Sequence, residues 1–205
     1  MEILASLGRT MGFSFAAGIN LYATVAILGL ASRYNWVSLP AQFRAFDNDI
    51  VIGVAIVLYI VEFVADKIPW FDSVWDAVHT AIRPVGGAVI AVTTLGDASP
   101  MTETLVGLLG GTLAAGSHFS KSGTRALANT SPEPFSNWIL SIAEDVFVVG
   151  LGFIALKYPV AAALVVALAV VFIVMFATWI VRGVRRRWGQ TGGNSKLHTS
   201  NSKAL

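Results

Sequence analysis

The sequence contains no cysteine. That single absence removes disulfide staples, thiol nucleophiles and thiolate metal sites. Charge is scarce as well: Asp, Glu, Lys and Arg make up 13% of the 205 residues, against about a quarter in soluble domains. There is no phosphate-cradling G-x-x-x-x-G-K, no H-E-x-x-H and no G-x-S-x-G. Gly150-Leu151-Gly152 carries part of a dinucleotide fingerprint, but it lies in an apolar run with no strand before it. The formal net charge of +2 and the lack of a basic face argue against nucleic acid as a partner. The opening MEILASLGRT has neither a basic n-region nor a small-residue cleavage site, so the first apolar run is expected to be a retained span.

What is present is apolar side chain: 55% of residues, with a mean hydropathy of +0.69. Apolar runs cover residues 11–31, 50–65, 85–95, 104–116, 138–156 and 160–181. Runs 85–95 and 104–116 are short; eleven helical residues rise roughly 17 Å, about half a bilayer. Pro84 is expected to end the helix before it, because the residue preceding a proline is pushed out of the helical region. The fold class expected is all-α and polytopic, about six transmembrane or re-entrant helices in one membrane domain, 1–188. Residues 189–205, rich in Gly, Ser, Asn and Lys, are expected to form a disordered tail. Arg182, Arg185, Arg186 and Arg187 place both termini in the cytoplasm by the positive-inside rule.

The polar residues gather in a few places. Read as a helix from Phe71, Asp72, Asp76, His79 and Arg83 fall at i, i+4, i+7 and i+11, one stripe on an otherwise apolar surface. Ionisable groups cost free energy in lipid, so such a stripe points to function; the alternative is a surface helix with solvated charges. His118, Lys121, Arg125 and Asn129 form a second stripe, cationic and suited to a phosphate or carboxylate, with a positive-inside loop as the alternative. The segment 129–134 reads as a proline-braced turn containing Glu133. Glu144 and Asp145 sit inside an apolar run, where they need partners, protons or a metal; Arg125, Lys121 and Arg83 are the candidate partners. Glu62 and Asp66 close the second span beside Lys67, where interfacial solvation competes with use, and Asn20 lies near the middle of the first.

Two internal echoes are visible. Phe15-Ala16-Ala17-Gly18 matches Leu113-Ala114-Ala115-Gly116, and residues 63–69 match 153–159 around Lys67-Ile68-Pro69 and Lys157-Tyr158-Pro159. Halves 1–97 and 98–188 with three spans each would form an inverted repeat, with the substrate site between them near the midplane.

GINLY, then DKIPWFDSVWDAVHTAIRP, then H-x-x-K-x-x-x-R-x-x-x-N-x-S-P-E-P-F-S-N-x-x-x-S-x-x-E-D resemble a family of small bacterial integral membrane proteins defined as a domain of unknown function. The resemblance covers about 12–182. It implies a bacterial inner-membrane setting, and it gives weight to Asn20, Asp66, Lys67, Asp72, Asp76, His79, Arg83, His118, Lys121, Arg125, Asn129, Glu133, Asn137, Glu144 and Asp145 as a set. It implies no activity.

The function expected from the residues is a membrane transporter or lipid-headgroup translocator with a charged intramembrane cavity. Arg83, Lys121 and Arg125 would hold an anionic solute or headgroup; the carboxylates would carry coupling protons or a cation, and His79 and His118 would titrate near neutral pH. No cofactor is expected beyond a bound cation. Expected partners are the bilayer, the anionic substrate and a further copy of the chain. The alternatives are an intramembrane enzyme acting on a lipid phosphate, with a histidine base and a carboxylate-bound metal, and a structural or assembly subunit whose charges pair with each other or with a partner protein.

Overall fold

The computed structural model describes residues 2–129 and 134–201. Among them there are helices and connections and no strand. The elements are α1 (Glu2–Ile19), α2 (Leu21–Arg33), a short 3-10 helix (Ala41–Phe46), α3 (Asp49–Ala65), α4 (Pro69–Leu95), α5 (Pro100–Ala128), α6 (Pro134–Lys157) and α7 (Pro159–Asn201). Contacts divide the chain into 1–167 and 168–205. The second unit holds the remainder of α7, where Phe172, Phe176 and Trp179 stack ring on ring along one face. The bounds of α7 run into the polar stretch after residue 189, which shows no apolar periodicity.

In the first unit α1 is the central element. Residues 12–21 are all buried, as a helix apolar all round should be, and α1 packs against α4, α5 and α6. The single span expected over 11–31 is in fact two helices, broken at Asn20. The break costs few hydrogen bonds. Asn20 takes an extended conformation (φ −145°, ψ 99°), and its side-chain oxygen accepts from the Ala23 amide at 2.9 Å as the cap of α2. Its own amide still reaches the Ala16 carbonyl at 2.9 Å.

Pro84 does not end a helix, contrary to expectation. It sits inside α4, which continues from Pro69 to Leu95, so 85–95 is the second half of one span and no re-entrant element. Tertiary packing overrides the local preference, since α4 and α5 lie against each other more extensively than any other pair. Their close approach relies on Gly87 and Gly110: a Cβ on Gly87 would strike Ala114, and one on Gly110 would strike Ala91. The polar stretch after Gly116 is likewise the continuation of α5 as far as Ala128.

Both helices are built inside out relative to a soluble helix. On α4 the buried residues include Asp72, Asp76, His79 and Arg83, while Val74, Val78, Ile82, Val85 and Val89 are exposed. On α5, Ser117, His118, Lys121 and Arg125 are buried, while Leu105, Leu108, Phe119 and Leu127 are exposed. Exposed valine and leucine around buried charge is the arrangement expected when the surrounding solvent is lipid. Among the described residues, three helical stretches are long and apolar enough to cross a membrane: Pro69–Leu95, Phe135–Lys157 and Pro159–Trp179. The chain is a membrane protein.

Candidate functional site

The two stripes read from the sequence face each other. Arg83, fully buried, links α4 to α3 and α5 and, through the Gly18 carbonyl at 3.4 Å, to α1. Its Nη2 donates to Glu62 Oε1 of α3 at 2.7 Å; its Nη1 donates to His118 Nδ1 of α5 at 2.7 Å and lies 3.2 Å from Asp76 Oδ1. A guanidinium only donates, so the hydrogen-bond network assigns His118 Nδ1 as the bare nitrogen. The ring proton then sits on Nε2, 3.1 Å from Thr80 Oγ1, whose own hydroxyl donates to the Asp76 carbonyl at 3.0 Å. His79 is the opposite tautomer: its Nδ1 must donate to the Trp75 carbonyl at 2.7 Å, leaving Nε2 to receive the Tyr22 hydroxyl at 2.8 Å. Its ring also stacks on Trp75, centroids 4.5 Å apart.

One turn further along α5, Lys121 Nζ donates to the Ile19 carbonyl at 3.2 Å, where α1 ends, and reaches Glu62 Oε1 at 3.3 Å and Asp66 Oδ2 at 3.1 Å. Arg125 ties α5 to α6 and to the end of α3. It donates from Nε to both oxygens of Glu144, from Nη2 to Asp66 Oδ2 at 3.0 Å, and from Nη1 to the Asp66 carbonyl at 2.8 Å and Asn137 Oδ1 at 3.1 Å. Asn137 returns a hydrogen bond from Nδ2 to the same Asp66 carbonyl. Asp72 Oδ1 lies 3.6 Å from Arg125 Nη1, and Asp72 Oδ2 accepts from Asn129 at 3.4 Å.

Asp145 stands apart from the cations. Its Oδ1 accepts from Asn20 Nδ2 at 3.3 Å, and among the described residues it makes no ion pair. Of the two carboxylates predicted to seek Arg125, Lys121 or Arg83, Glu144 finds the first two and Asp145 finds none. Lys67 belongs to the group by position only; its ammonium donates to the Phe63 carbonyl and lies 3.1 Å over the Phe63 ring, near Ser141. Glu133 lies outside the described residues.

The structure thus brings fourteen of the fifteen site candidates into one polar region and adds residues outside that set. Glu62 is the foremost addition. It is 0% exposed and is shared by Arg83 and Lys121. Its only sequence signal was its spacing, four residues before Asp66 in an apolar helix. Tyr22, Thr80 and Ser122 also join, and Tyr22 is the last residue of the GINLY motif.

The charge balance is uneven. Glu62, Asp66, Asp72, Asp76, Glu144 and Asp145 are six carboxylates against Lys67, Arg83, Lys121 and Arg125, two more negative than positive. The shortfall appears in the hydrogen bonds. Glu62 Oε2, Asp72 Oδ1, Asp76 Oδ1 and Asp145 Oδ2 are buried without a donor. The oxygens on Asp76 and Asp72 still lie 3.2 and 3.6 Å from Arg83 and Arg125, and both residues line a half-open cleft of about 320 Å³ between α4 and α5, beside Thr80, Ser122, Arg125 and Asn129. A lone buried acceptor is costly unless a proton, a water or a cation meets it. Among the described residues no three His, Asp or Glu side chains converge as a metal-binding group.

The family described as "Domain of unknown function (DUF4126)" matches residues 7–179, which include every element of this site, and the chain belongs to that family. Comparison with curated proteins gives no match, and comparison with solved structures gives none.

Proposed function

We propose that this member of the family is a membrane carrier that moves protons, or a small cation in their place, through the carboxylate cluster between α3, α4, α5 and α6. The observation that carries the reading is the surplus of buried carboxylate over buried cation, with Glu62 Oε2 and Asp145 Oδ2 buried without a hydrogen-bond donor and Asp72 and Asp76 lining a cleft. Arg83, Lys121 and Arg125 are engaged by the protein's own carboxylates. An anionic substrate would have to displace those bonds, whereas a proton or cation completes the set as it stands. Asp145 is the carrying group: it is buried, has no cation partner and is held by Asn20 at the α1–α2 break. Lys121, donating to Ile19 beside that break, would pass the change to Glu62 and Asp66. The broken helix then works as in carriers, where irregular backbone at membrane depth lines a site.

The enzyme alternative with a histidine base has less support, because both ring nitrogens of His79 and of His118 are already hydrogen-bonded, leaving neither ring free as a general base. The two-halves reading gains one local parallel. Lys67 lies over Phe63 and Lys157 over Phe153, each two residues before a helix-opening proline. We place the protein in the bacterial inner membrane with both termini cytoplasmic, on the arginines after Val181.

The test is proton flux in proteoliposomes carrying a pH-sensitive dye under a potassium diffusion potential. Wild type should acidify or alkalinise the lumen according to the sign of the potential; Asp145→Asn should abolish the flux while the protein remains folded. Flux in Asp145→Asn equal to wild type, or wild-type flux no greater than that of empty vesicles over imposed proton, sodium and potassium gradients, would overturn the proposal.

A further inference from the structure

At the other end of the α4–α5 pair a second and larger pocket, about 700 Å³, opens beside the start of α1. Its walls are mostly apolar: Ile3 and Leu7 of α1, Leu95 at the end of α4 and Val106 of α5. Gln42, from the 3-10 helix, crosses its edge and donates to the carbonyls of Thr94 and Leu95 at 3.3 and 3.4 Å. The pocket has one ionisable residue, Arg9. Its Nε is buried without a hydrogen-bond partner, and no carboxylate among the described residues pairs with it. This inverts the carboxylate cluster, where every arginine is answered by an acid. A guanidinium with a buried, unmet N–H in an apolar wall is costly until an acceptor from outside the chain meets it, and an anionic acceptor pairs its charge as well.

We infer that this pocket is a binding site for an anionic glycerophospholipid, its phosphodiester on Arg9 and the upper part of its acyl chains along Ile3, Leu7 and Val106. The volume lies in the range of pockets that bury a ligand of that size. The bilayer is the source, because an apolar wall adds nothing to the holding of a free phosphate, whereas a lipid matches the wall and the guanidinium together. The geometry also gives the site a structural consequence: a lipid seated there touches α1, α4 and α5 at once, the three helices whose other ends frame the carboxylates. The inference does not depend on the carrier reading.

Native mass spectrometry of the full chain, released from detergent after incubation with phosphatidylglycerol or phosphatidylcholine, provides the test. Wild type should retain phosphatidylglycerol at least tenfold more than phosphatidylcholine, and its thermal midpoint should rise with the former alone. Arg9→Gln should lose that preference, and Arg9→Lys should keep part of it. Ser6→Trp, at a half-exposed lining position, should block the pocket with Arg9 intact, and it carries the test where Arg9→Gln does not fold. Equal retention of the two lipids by wild type would overturn the inference, as would undiminished phosphatidylglycerol retention in the folded Ser6→Trp. A midpoint rise of the same size from inorganic phosphate alone would also overturn it, by showing an anion site that ignores the lipid.

Discussion

Two clusters in this protein use the same chemistry in opposite surroundings. At the end of α2, Arg33 donates to Asp47 at 2.8 Å and lies 2.6 Å from Asp49, with side chains 30%, 33% and 89% exposed. In the α3–α6 cluster, Arg83 holds Glu62 and Arg125 holds Asp66 at similar distances, with all four side chains at most 1% exposed. The distances do not tell the two apart; burial does. Water can replace any partner of Arg33, so that pair is an accessory to the loop it closes. Nothing replaces the partners of Arg83 or Arg125, so each is obligatory once its acids are in place, whatever the net worth of the network against an apolar core.

Single-sided removal of a buried partner should therefore have the largest effect. Arg125→Met leaves Asp66 and Glu144 facing each other and should cost about 3–5 kcal/mol in reversible unfolding from detergent. A cost below about 1 kcal/mol, the scale of an exposed pair, would erase the distinction drawn between the two clusters. Next, Arg83→Met and Glu62→Gln should be strongly non-additive, the double variant being more stable than the sum of the singles by on the order of 1 kcal/mol or more in a double-mutant cycle. Strict additivity would show that the 2.7 Å bond carries no coupling. Asn20→Ala should cost about 1 kcal/mol through loss of the α2 cap, together with the hold on Asp145; an unchanged unfolding midpoint would mean that the break is set elsewhere. Arg33→Ala should have the smallest effect, a midpoint indistinguishable from wild type at physiological salt.

The two stripes were legible because helical spacing and the rarity of charge combine. Asp72, Asp76, His79 and Arg83 on one face of an apolar helix can only be an inward face once lipid is the solvent, and the same holds for His118, Lys121 and Arg125. What could not be read was the partner of each group. Spacing along one helix fixes a face and leaves open the rotation of its neighbour, so Glu62 gave no sign of sitting between Arg83 and Lys121. Local rules misled at two points. Pro84 has strong helix-ending chemistry, yet packing against α5 keeps α4 continuous. Asn20 has weak helix-ending chemistry, yet its cap on Ala23 splits a run that hydropathy alone joins. Continuity of α5 past Gly116 stayed open between helix and loop for a related reason. A polar stretch reads as a connection when the solvent is assumed to be water, and as an inward helix face when it is lipid.

The orientation of α4, polar face to a wet cleft and apolar face to lipid, is central to the site, and the absence of native cysteine makes it measurable without background. Ala77 and Val78 are adjacent and both exposed, but Ala77 lines the cleft and Val78 does not. With the protein in membranes, Ala77→Cys should react with a membrane-impermeant, water-soluble thiol reagent from the side on which the cleft opens, and Val78→Cys should remain unlabelled from either side. Labelling of Val78→Cys with protection of Ala77→Cys would place the charged stripe against lipid and contradict the account.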